Sequence, residues 1–406
     1  MEVVFERCAG IDVHKKTVVV CINVPGHREV RTFETVTSHL LRMVDWLTRE
    51  KIEIVAMEST GVYWKPVWNI LEGSECQLML VNAHHIKQVP GRKTDVKDAE
   101  WIAELLRHGL LTASNVPDRD RRELQELVRF RRSVTNERAR TVNRLQKVLE
   151  GANIKLASVV TDISGKSGRE ILKEMSQGQT DVARLVELAR GRLIKKRSSL
   201  EEALLGRVHD HQRFMLKVLL KTLEEQDETI KQLDAEVEER MHPFDDLIQL
   251  LDPIPGIAVR GAQDLLATIG TDMSQYPSAD HLASWLRLCP GNSRSANKRL
   301  TGKTAPGTPF GKSLMVQLAW GAIRTNRSYY QSMFKRISGR RGAKRAAVAV
   351  AHAMIVAIYH ILSKKIPYVE LGANWYDAVN RDKVKKRSIR RLEKLGFKVE
   401  LTETAA

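Results

Sequence analysis

The placement of a few acidic residues constrains this chain more than any other feature. Asp12 ends the short apolar run Cys8-Ala9-Gly10-Ile11, and Glu58 ends another, Ile52-Glu53-Ile54-Val55-Ala56-Met57. Asp95 and Asp98 stand three apart in Lys93-Thr94-Asp95-Val96-Lys97-Asp98-Ala99-Glu100-Trp101, which reads as the first turn of a helix. Positions i and i+3 share a helix face, so both carboxylates can point at one spot. Like charges at close range raise each other's pKa, so carboxylates gather at a cost unless a cation holds them. An all-oxygen site suits Mg²⁺ (or Mn²⁺), and two such ions clamp the attacking and leaving oxygens of a phosphodiester. Singly, each acid reads as well as a helix cap or a solvated charge. The order of elements between them is what lifts the set.

Arg7 to Val13 and Thr17 to Val24 read as strands, Pro25-Gly26-His27-Arg28 as a turn, and Glu29 to Val36 as a third strand. Ser38 then caps a helix with Leu40, Leu41, Val44 and Leu47 at helical spacing. A fourth strand carries Glu58, a helix follows from about Val62 to Leu71, Gln77 to Val81 is a fifth strand, and the Asp95 helix comes next. Three meandering strands, then alternating helix and strand, with acids on strands one and four and on a late helix, is ribonuclease-H-like topology.

The partner is legible in the charge. The formal net charge is +17 over 406 residues, the footprint of a nucleic-acid binder. From His281 to Val369 there is no Asp or Glu, while Arg294, Lys298, Arg299, Lys303, Arg341, Lys344 and Arg345 are among the many cations inside that span. A merely solvated basic face normally interleaves acids, so a polyanion lying against this region is expected. A second basic stretch, Arg119 to Lys147, carries Arg129, Arg131, Arg132, Arg138, Arg140 and Arg144 on a long helix, and a third runs from Lys383 to Arg391. Cys8, Cys21, Cys76 and Cys289 form no C-x-x-C pair, so neither a zinc site nor a disulfide framework is indicated. No apolar stretch approaches the roughly 20 residues that span a bilayer, and the amino terminus is no signal peptide. A cytoplasmic protein without a membrane partner is expected.

Asp181 to His242 is rich in Leu, Glu and Lys. Leu216, Leu223, Ile230 and Val237 recur every seven residues, with Leu219 and Leu233 in between, a seam fit for a helical hairpin or a coiled coil. Its second half is acidic and reads as a protein–protein or spacer element. Pro243 opens a third region, where Asp252-Pro253-Ile254-Pro255-Gly256-Ile257-Ala258 before a helix from Ala262 to Ile269 resembles a helix-hairpin-helix turn. Such a turn aims backbone N–H groups at phosphate, or simply joins two helices. Trp285 to Arg299 reads as a polar, basic loop. Its serines serve as phosphate donors in the plain reading. A serine can also attack a phosphodiester if cations such as Arg294, Lys298 and Arg299 stabilise the developing charge. The residues alone do not separate Ser293 from Ser295.

Along nearly its whole length the chain resembles the insertion-sequence transposases of the IS one-ten family, the DEDD transposases. The matching segments are Ala9-Gly10-Ile11-Asp12-Val13-His14-Lys15, Met57-Glu58-Ser59-Thr60-Gly61-Val62-Tyr63-Trp64 and Gly91-Arg92-Lys93-Thr94-Asp95-Val96-Lys97-Asp98-Ala99-Glu100. Further on come Ile254-Pro255-Gly256-Ile257, Leu288-Cys289-Pro290-Gly291-Asn292 and Arg341-Gly342-Ala343-Lys344-Arg345-Ala346. The resemblance implies a RuvC-like domain with metal-binding acids at Asp12, Glu58, Asp95 and Asp98, a coiled-coil segment, and a C-terminal domain bearing a nucleophilic serine. Relatives carry that serine in a Ser-Ala-Gly-Lys pattern. Here the aligned run is Ser295-Ala296-Asn297-Lys298, which selects Ser295. Asn297 replaces the family glycine, and Asn readily takes positive φ. The resemblance further implies a structured non-coding bridge RNA pairing with donor and target DNA, and a homo-oligomer, dimer or tetramer, in a bacterial or archaeal cell.

The expected fold is therefore α/β plus all-α: a RuvC-like domain over 1–115, long helices or a coiled coil over 116–245, a serine transposase domain over 246–375, and a basic tail over 376–406. The expected activity is excision and insertion of a mobile element through a phosphoserine intermediate. A metal-dependent nuclease of the Holliday-junction type, without a covalent intermediate, is the alternative enzyme. A packaging or RNA-binding protein with a dead site is the non-enzymatic one.

Overall fold

The computed structural model describes residues 2–59, 61–82, 97–291, 293–295, 298–301, 304 and 310–400; side chains at 97, 293–295 and 298–301 are left out of the description. The chain forms two compact units, Met1–Asp118 and Arg119–Ala406.

In the first unit, β1 (Cys8–Val13), β2 (Thr17–Val24) and β3 (His27–Glu34) form an antiparallel meander. It is followed by α1 (Thr37–Arg49), β4 (Ile54–Glu58), α2 (Trp64–Leu71), β5 (Gln77–Val81), α3 (Lys97–Arg107) and β6 (Ala113–Ser114). The sheet order is β3-β2-β1-β4-β5-β6. β4 runs parallel to β1 and to β5, and the short β6 returns antiparallel on β5, a strand that the sequence reading does not contain. This is the expected RuvC-like sheet.

Two helix starts differ from expectation. Val36, not Ser38, is the N-cap of α1, and it makes no side-chain cap bond. Thr35 is tied back to Lys15 and Lys16 through its hydroxyl and N–H, so the helix begins as soon as the chain leaves that turn, placing Ser38 within its first turn. The helix α2 starts at Trp64 rather than Val62, with Pro66 in its first turn, where a missing N–H costs nothing. Of the apolar face predicted on α1, Leu40 and Leu47 are buried with Met43 and Trp46, while Leu41 is exposed.

Strand alternation sends Ala9, Ile11, Val13, Val55 and Met57 into a core with α1 and α2. Cys8, Ile54 and Ala56 pack on the other side with Ile102, Leu105 and Leu106 of α3. Gly10 sits between. A Cβ there would lie 2.3 Å from the Ala103 nitrogen and 2.4 Å from the Ala99 oxygen, so the α3 backbone crosses directly over β1. Ala99 and Ala103, both fully buried one turn apart, complete the close approach.

The second unit is helical. Its spine is α4 (Arg119–Gly151), then α5 (Leu156–Val159), α6 (Lys166–Ser176), α7 (Val182–Glu187) and α8 (Arg197–Leu204), and α9 (Asp210–Met241) returning antiparallel along α4. The Leu-, Glu- and Lys-rich stretch from Asp181 to His242 forms several helices, with breaks at its two glycines. Gly191 takes a positive φ, and at Gly206 a Cβ would lie 2.4 Å from the Ala152 carbonyl oxygen. The first half of the seven-residue seam of α9 is filled from within the chain. Leu216, Leu219 and Leu223 share a core with Leu145 and Leu149 of α4 and Ile171 and Leu172 of α6, while Val237 joins a second core.

That second core gathers α10 (Asp245–Leu251), α11 (Val259–Ile269), α12 (Ala279–Trp285), α13 (Phe310–Arg324), α14 (Tyr329–Arg341) and α15 (Ala343–Lys364), and between α12 and α13 the chain forms a hairpin of β7 (Ser293–Ser295) and β8 (Lys298–Thr301). Two surface helices follow, α16 (Trp375–Val379) and α17 (Arg381–Lys394). The turn between α10 and α11 packs against α13. A Cβ on Gly256 (φ +82°) would meet the Ala322 nitrogen at 2.2 Å, which accounts for this glycine without any phosphate. By length and composition α15 could cross a membrane, contrary to the expectation that no stretch is long enough. Its Val350, Met354, Ile355 and Ile358 are instead completely buried in the domain core.

Arg131, only 2% exposed, ties three helices. Its guanidinium donates to Asp234 of α9 (3.0 Å), and to Gln263 (3.1 Å) and Asp264 (2.6 Å) of α11. Arg138 pairs with Asp227, which Arg169 also engages. Arg121 and Gln125 donate to the Ala267 and Thr268 carbonyls, capping the carboxyl end of α11. The basic stretch on α4 is thus partly structural, with Asp227 and Asp234 of α9 as its partners.

Two outcomes follow. Gly10→Ala is expected to cost roughly 1–3 kcal/mol by overpacking, read as a lowered urea midpoint, and an unchanged midpoint would remove the close-approach argument. Arg131→Met takes the guanidinium from the largely buried Asp264, while Asp234 keeps Arg260, and is expected to cost about 3–5 kcal/mol, whereas Arg140→Met on the exposed side of α4 should change unfolding by less than about 0.5 kcal/mol.

Candidate active site and nucleic-acid interface

Period-two parity decides where the strand acids stand. Asp12 shares the face of Cys8 and Gly10, and Glu58 that of Ile54 and Ala56, so both lie on the side covered by α3. Each follows the paired residues Ile11 and Met57 of adjacent parallel strands, so the two acids sit side by side at the carboxyl ends of β1 and β4. Asp98 lies in the first turn of α3, next to Ala99, whose carbonyl meets Gly10. Three of the four expected acids therefore come to one edge of one face. Asp95 lies outside the described residues.

Asp12 is 5% exposed. Burial holds its carboxyl above the usual aspartate range, the His14 imidazole opposes that shift, and the charge of Asp98 adds to it. His14 Nε2 lies 3.0 Å from Asp12 Oδ2. Oδ2 is buried from solvent, with His14 set against it. A buried carboxylate beside a second carboxylate is expensive on its own and suits a hard divalent cation. Among the described residues no three His, Cys, Asp or Glu side chains close around one point, Asp95 being outside them. Asp12 and Asp98 are oxygen donors of the kind such an ion takes.

Two residues of this site escaped the sequence reading. His14 stands against Asp12. Gly10 decides how closely α3 approaches, and its signal was available: a glycine inside an apolar strand marks close backbone contact. A polar tie holds α3 from the other side, where Arg28 reaches Glu100 (3.5 Å) and Glu104 (3.9 Å), and Arg107 donates to Asn23 (3.2 Å).

In the second unit the segment read as a loop around the serines is a two-stranded hairpin. Ser295 pairs with Lys298, Arg294 with Arg299, and Ser293 with Thr301, with an irregularity between Ser293 and Arg294. Ser295 and Lys298 are the last partners before the connecting residues. Asn297 and Lys303 lie outside the described residues. Beside the start of α13, the Arg129 and Arg132 guanidinium groups lie over the Phe310 ring at 5.7 and 5.1 Å. Arg132 also donates to Ser313 (3.0 Å) and Gln317 (2.8 Å), and its Nη1 is buried with no hydrogen-bond partner among the described residues. Burial lowers the pKa of both arginines. Arg140 is exposed on α4, and Arg341, Lys344 and Arg345 are exposed around the Gly342 corner between α14 and α15.

The arrangement comprises an acidic, cation-seeking edge on a RuvC-like sheet and a separate, strongly basic helical unit with a serine-bearing hairpin. A comparison with curated proteins returned no match. Family models do match: the DEDD transposase model of the IS110 group covers residues 9–154, which hold all four acids, and that of the transposase IS116/IS110/IS902 family covers residues 248–333, which hold the hairpin. The two matches together span more than half of the chain, and the protein belongs to the IS110 family of transposases.

Proposed function

We propose that this DNA transposase excises and inserts its element through a serine-linked intermediate, with Ser295 as nucleophile and with Asp12, Glu58, Asp95 and Asp98 holding Mg²⁺ or Mn²⁺. The observation that carries the metal reading is the buried Asp12 carboxylate, set against His14 at 3.0 Å and beside the charge of Asp98. When bound, the cation supplies Lewis-acid polarisation of a phosphate oxygen. The chain's own residues do the rest. His14 orients the Asp12 carboxylate, and Gly10 lets α3 deliver Asp98 to it. Arg294, Lys298 and Arg299 offset the charge that develops on the phosphate as the Ser295 Oγ–phosphorus bond forms and the strand breaks. The departing strand end takes up a proton, the serine proton leaves to a base, and a hydroxyl end from the exchanged strand later displaces Ser295. Arg129, Arg132, Arg140, Lys303, Arg341, Lys344 and Arg345 contact the phosphates of donor and target DNA and of a bridge RNA.

The same reading makes the active assembly a dimer or tetramer acting in the cytoplasm at the nucleoid. It keeps a RuvC-like domain over 1–115, helices over 116–245, a serine domain over 246–375 and a basic tail over 376–406.

Denaturing gels after incubation with element-end DNA and Mg²⁺ test the nucleophile. Wild-type protein is expected to leave a DNA-linked band, and Ser295→Ala to lose it while Ser293→Ala retains it. Cleavage by Ser295→Ala with no linked protein in either form would favour the Holliday-junction type of nuclease.

The acid site has a stability signature. A carboxyl whose folded pKa is raised contributes stability below the ordinary aspartate value of about 3.9, and that contribution is lost as pH rises through the raised value. Asp12→Asn removes the loss. At neutral pH without metal it should hold or raise Tm by on the order of 1–3 °C, while abolishing cleavage in Mg²⁺. A variant that still cuts, or that melts several degrees lower, would take Asp12 out of this role.

A further inference from the structure

We infer that the terminal helix α17 is an arm that grips the phosphate backbone of duplex DNA without reading its bases. The inference rests on the family's DNA substrate and is independent of the serine chemistry. Neither matched segment reaches this part of the chain, since the second ends at residue 333.

The helix runs from Arg381 to Lys394 and has no buried residue. Only Asp382 and Glu393 oppose its many cations. At 3.6 residues per turn, Lys383, Lys386, Arg387, Arg390, Arg391 and Lys394 fall on one side. That side contains the like-charge pairs Lys383/Arg387, Lys386/Arg390, Arg387/Arg391 and Arg390/Lys394, all four apart, and each such pair works against a helix by roughly 0.2–0.5 kcal/mol. A helix this short, self-repelling and uncovered is marginal by itself. Neutralising one face removes the repulsion. Lys383 to Lys394 spans about 17 Å of helix axis, over which a DNA duplex presents roughly ten phosphates, enough to meet every cation on the face.

The root of the arm, by contrast, is fixed. The Glu370 carboxylate accepts from the N–H groups of Tyr329 and Gly372 (2.8 Å each) and from the Tyr368 hydroxyl (2.9 Å). Tyr376 stacks on Tyr329 at 5.2 Å, and Arg336 lies over Tyr376 at 5.1 Å. The strap between α15 and α16 is thereby pinned to α14, whose last residues, Arg340 and Arg341, are exposed cations. An anchored base with an uncovered basic helix beyond it is suited to holding a long polyanion. A lipid surface fits less well, because Arg381 and Lys385 interrupt the side that carries Val384, Leu392 and Leu395.

Full-length protein carrying Lys383→Gln, Arg387→Gln, Arg390→Gln and Lys394→Gln together tests the arm on random-sequence duplex DNA across a salt series. The log–log slope of affinity against salt is expected to shrink by roughly 3–4. At low salt the affinity should fall at least tenfold, with Tm unchanged because the helix buries nothing. Leu392→Ala with Leu395→Ala should leave duplex binding intact. At saturating DNA the four-glutamine protein should still form the serine-linked band, so the two readings fail separately. An unchanged slope and affinity for duplex DNA overturns the inference, including the case in which only single-stranded RNA or anionic-vesicle binding falls.

Discussion

The crossing of α3 over β1 at Gly10 is the contact on which the amino-terminal unit depends. Helix and strand come closer than any side chain would allow, with a Cβ position 2.3 Å from the Ala103 nitrogen. Asp98 lies next to Ala99 on that helix, and Asp12 lies two residues past Gly10 on that strand. A close approach made for packing therefore also sets the separation of two carboxylates. The cost is visible in Asp12, whose buried carboxyl is pushed above the ordinary range.

The second unit solves a different problem, that of placing many arginines in a protein rich in cations. Burying one is possible only when carboxylates go with it. Arg131 is buried with Asp234 and Asp264, and Arg138 shares Asp227 with Arg169. Asp227 and Asp234 of α9 neutralise the spine from within. The span from His281 to Val369 has no acids of its own, and its cations at 340, 341, 344 and 345 remain on the surface. The same residue type thus plays two roles, separated by whether an acid lies across the helix pair.

Much of this was legible beforehand. The first five strands, the helix after the third and the acids at strand ends follow from alternation and turn chemistry, because period-two burial leaves its mark directly in the residue order. The hairpin at Ser293–Thr301 was not legible, since a short polar strand pair has no apolar alternation to betray it. Nor was β6, two residues long and set by its neighbour β5. The α9 seam was readable as a heptad, but its partner was not: periodicity marks an apolar face without naming what covers it. The length of α15 misled in the opposite direction, as an apolar run hidden among small alanines proved to be a core helix.

Residue order alone determined the fold class, the acid-bearing positions, the basic character of the carboxyl-terminal half and the family, because each of these resides in local pattern and composition. Only the tertiary structure decided that His14 stands against Asp12, that Gly10 controls the reach of α3, and that Arg131 is a structural cation while Arg140 faces solvent. Those distinctions depend on which surfaces meet across long stretches of chain. A one-dimensional pattern carries the preferences of each surface but not the identity of the surface it meets.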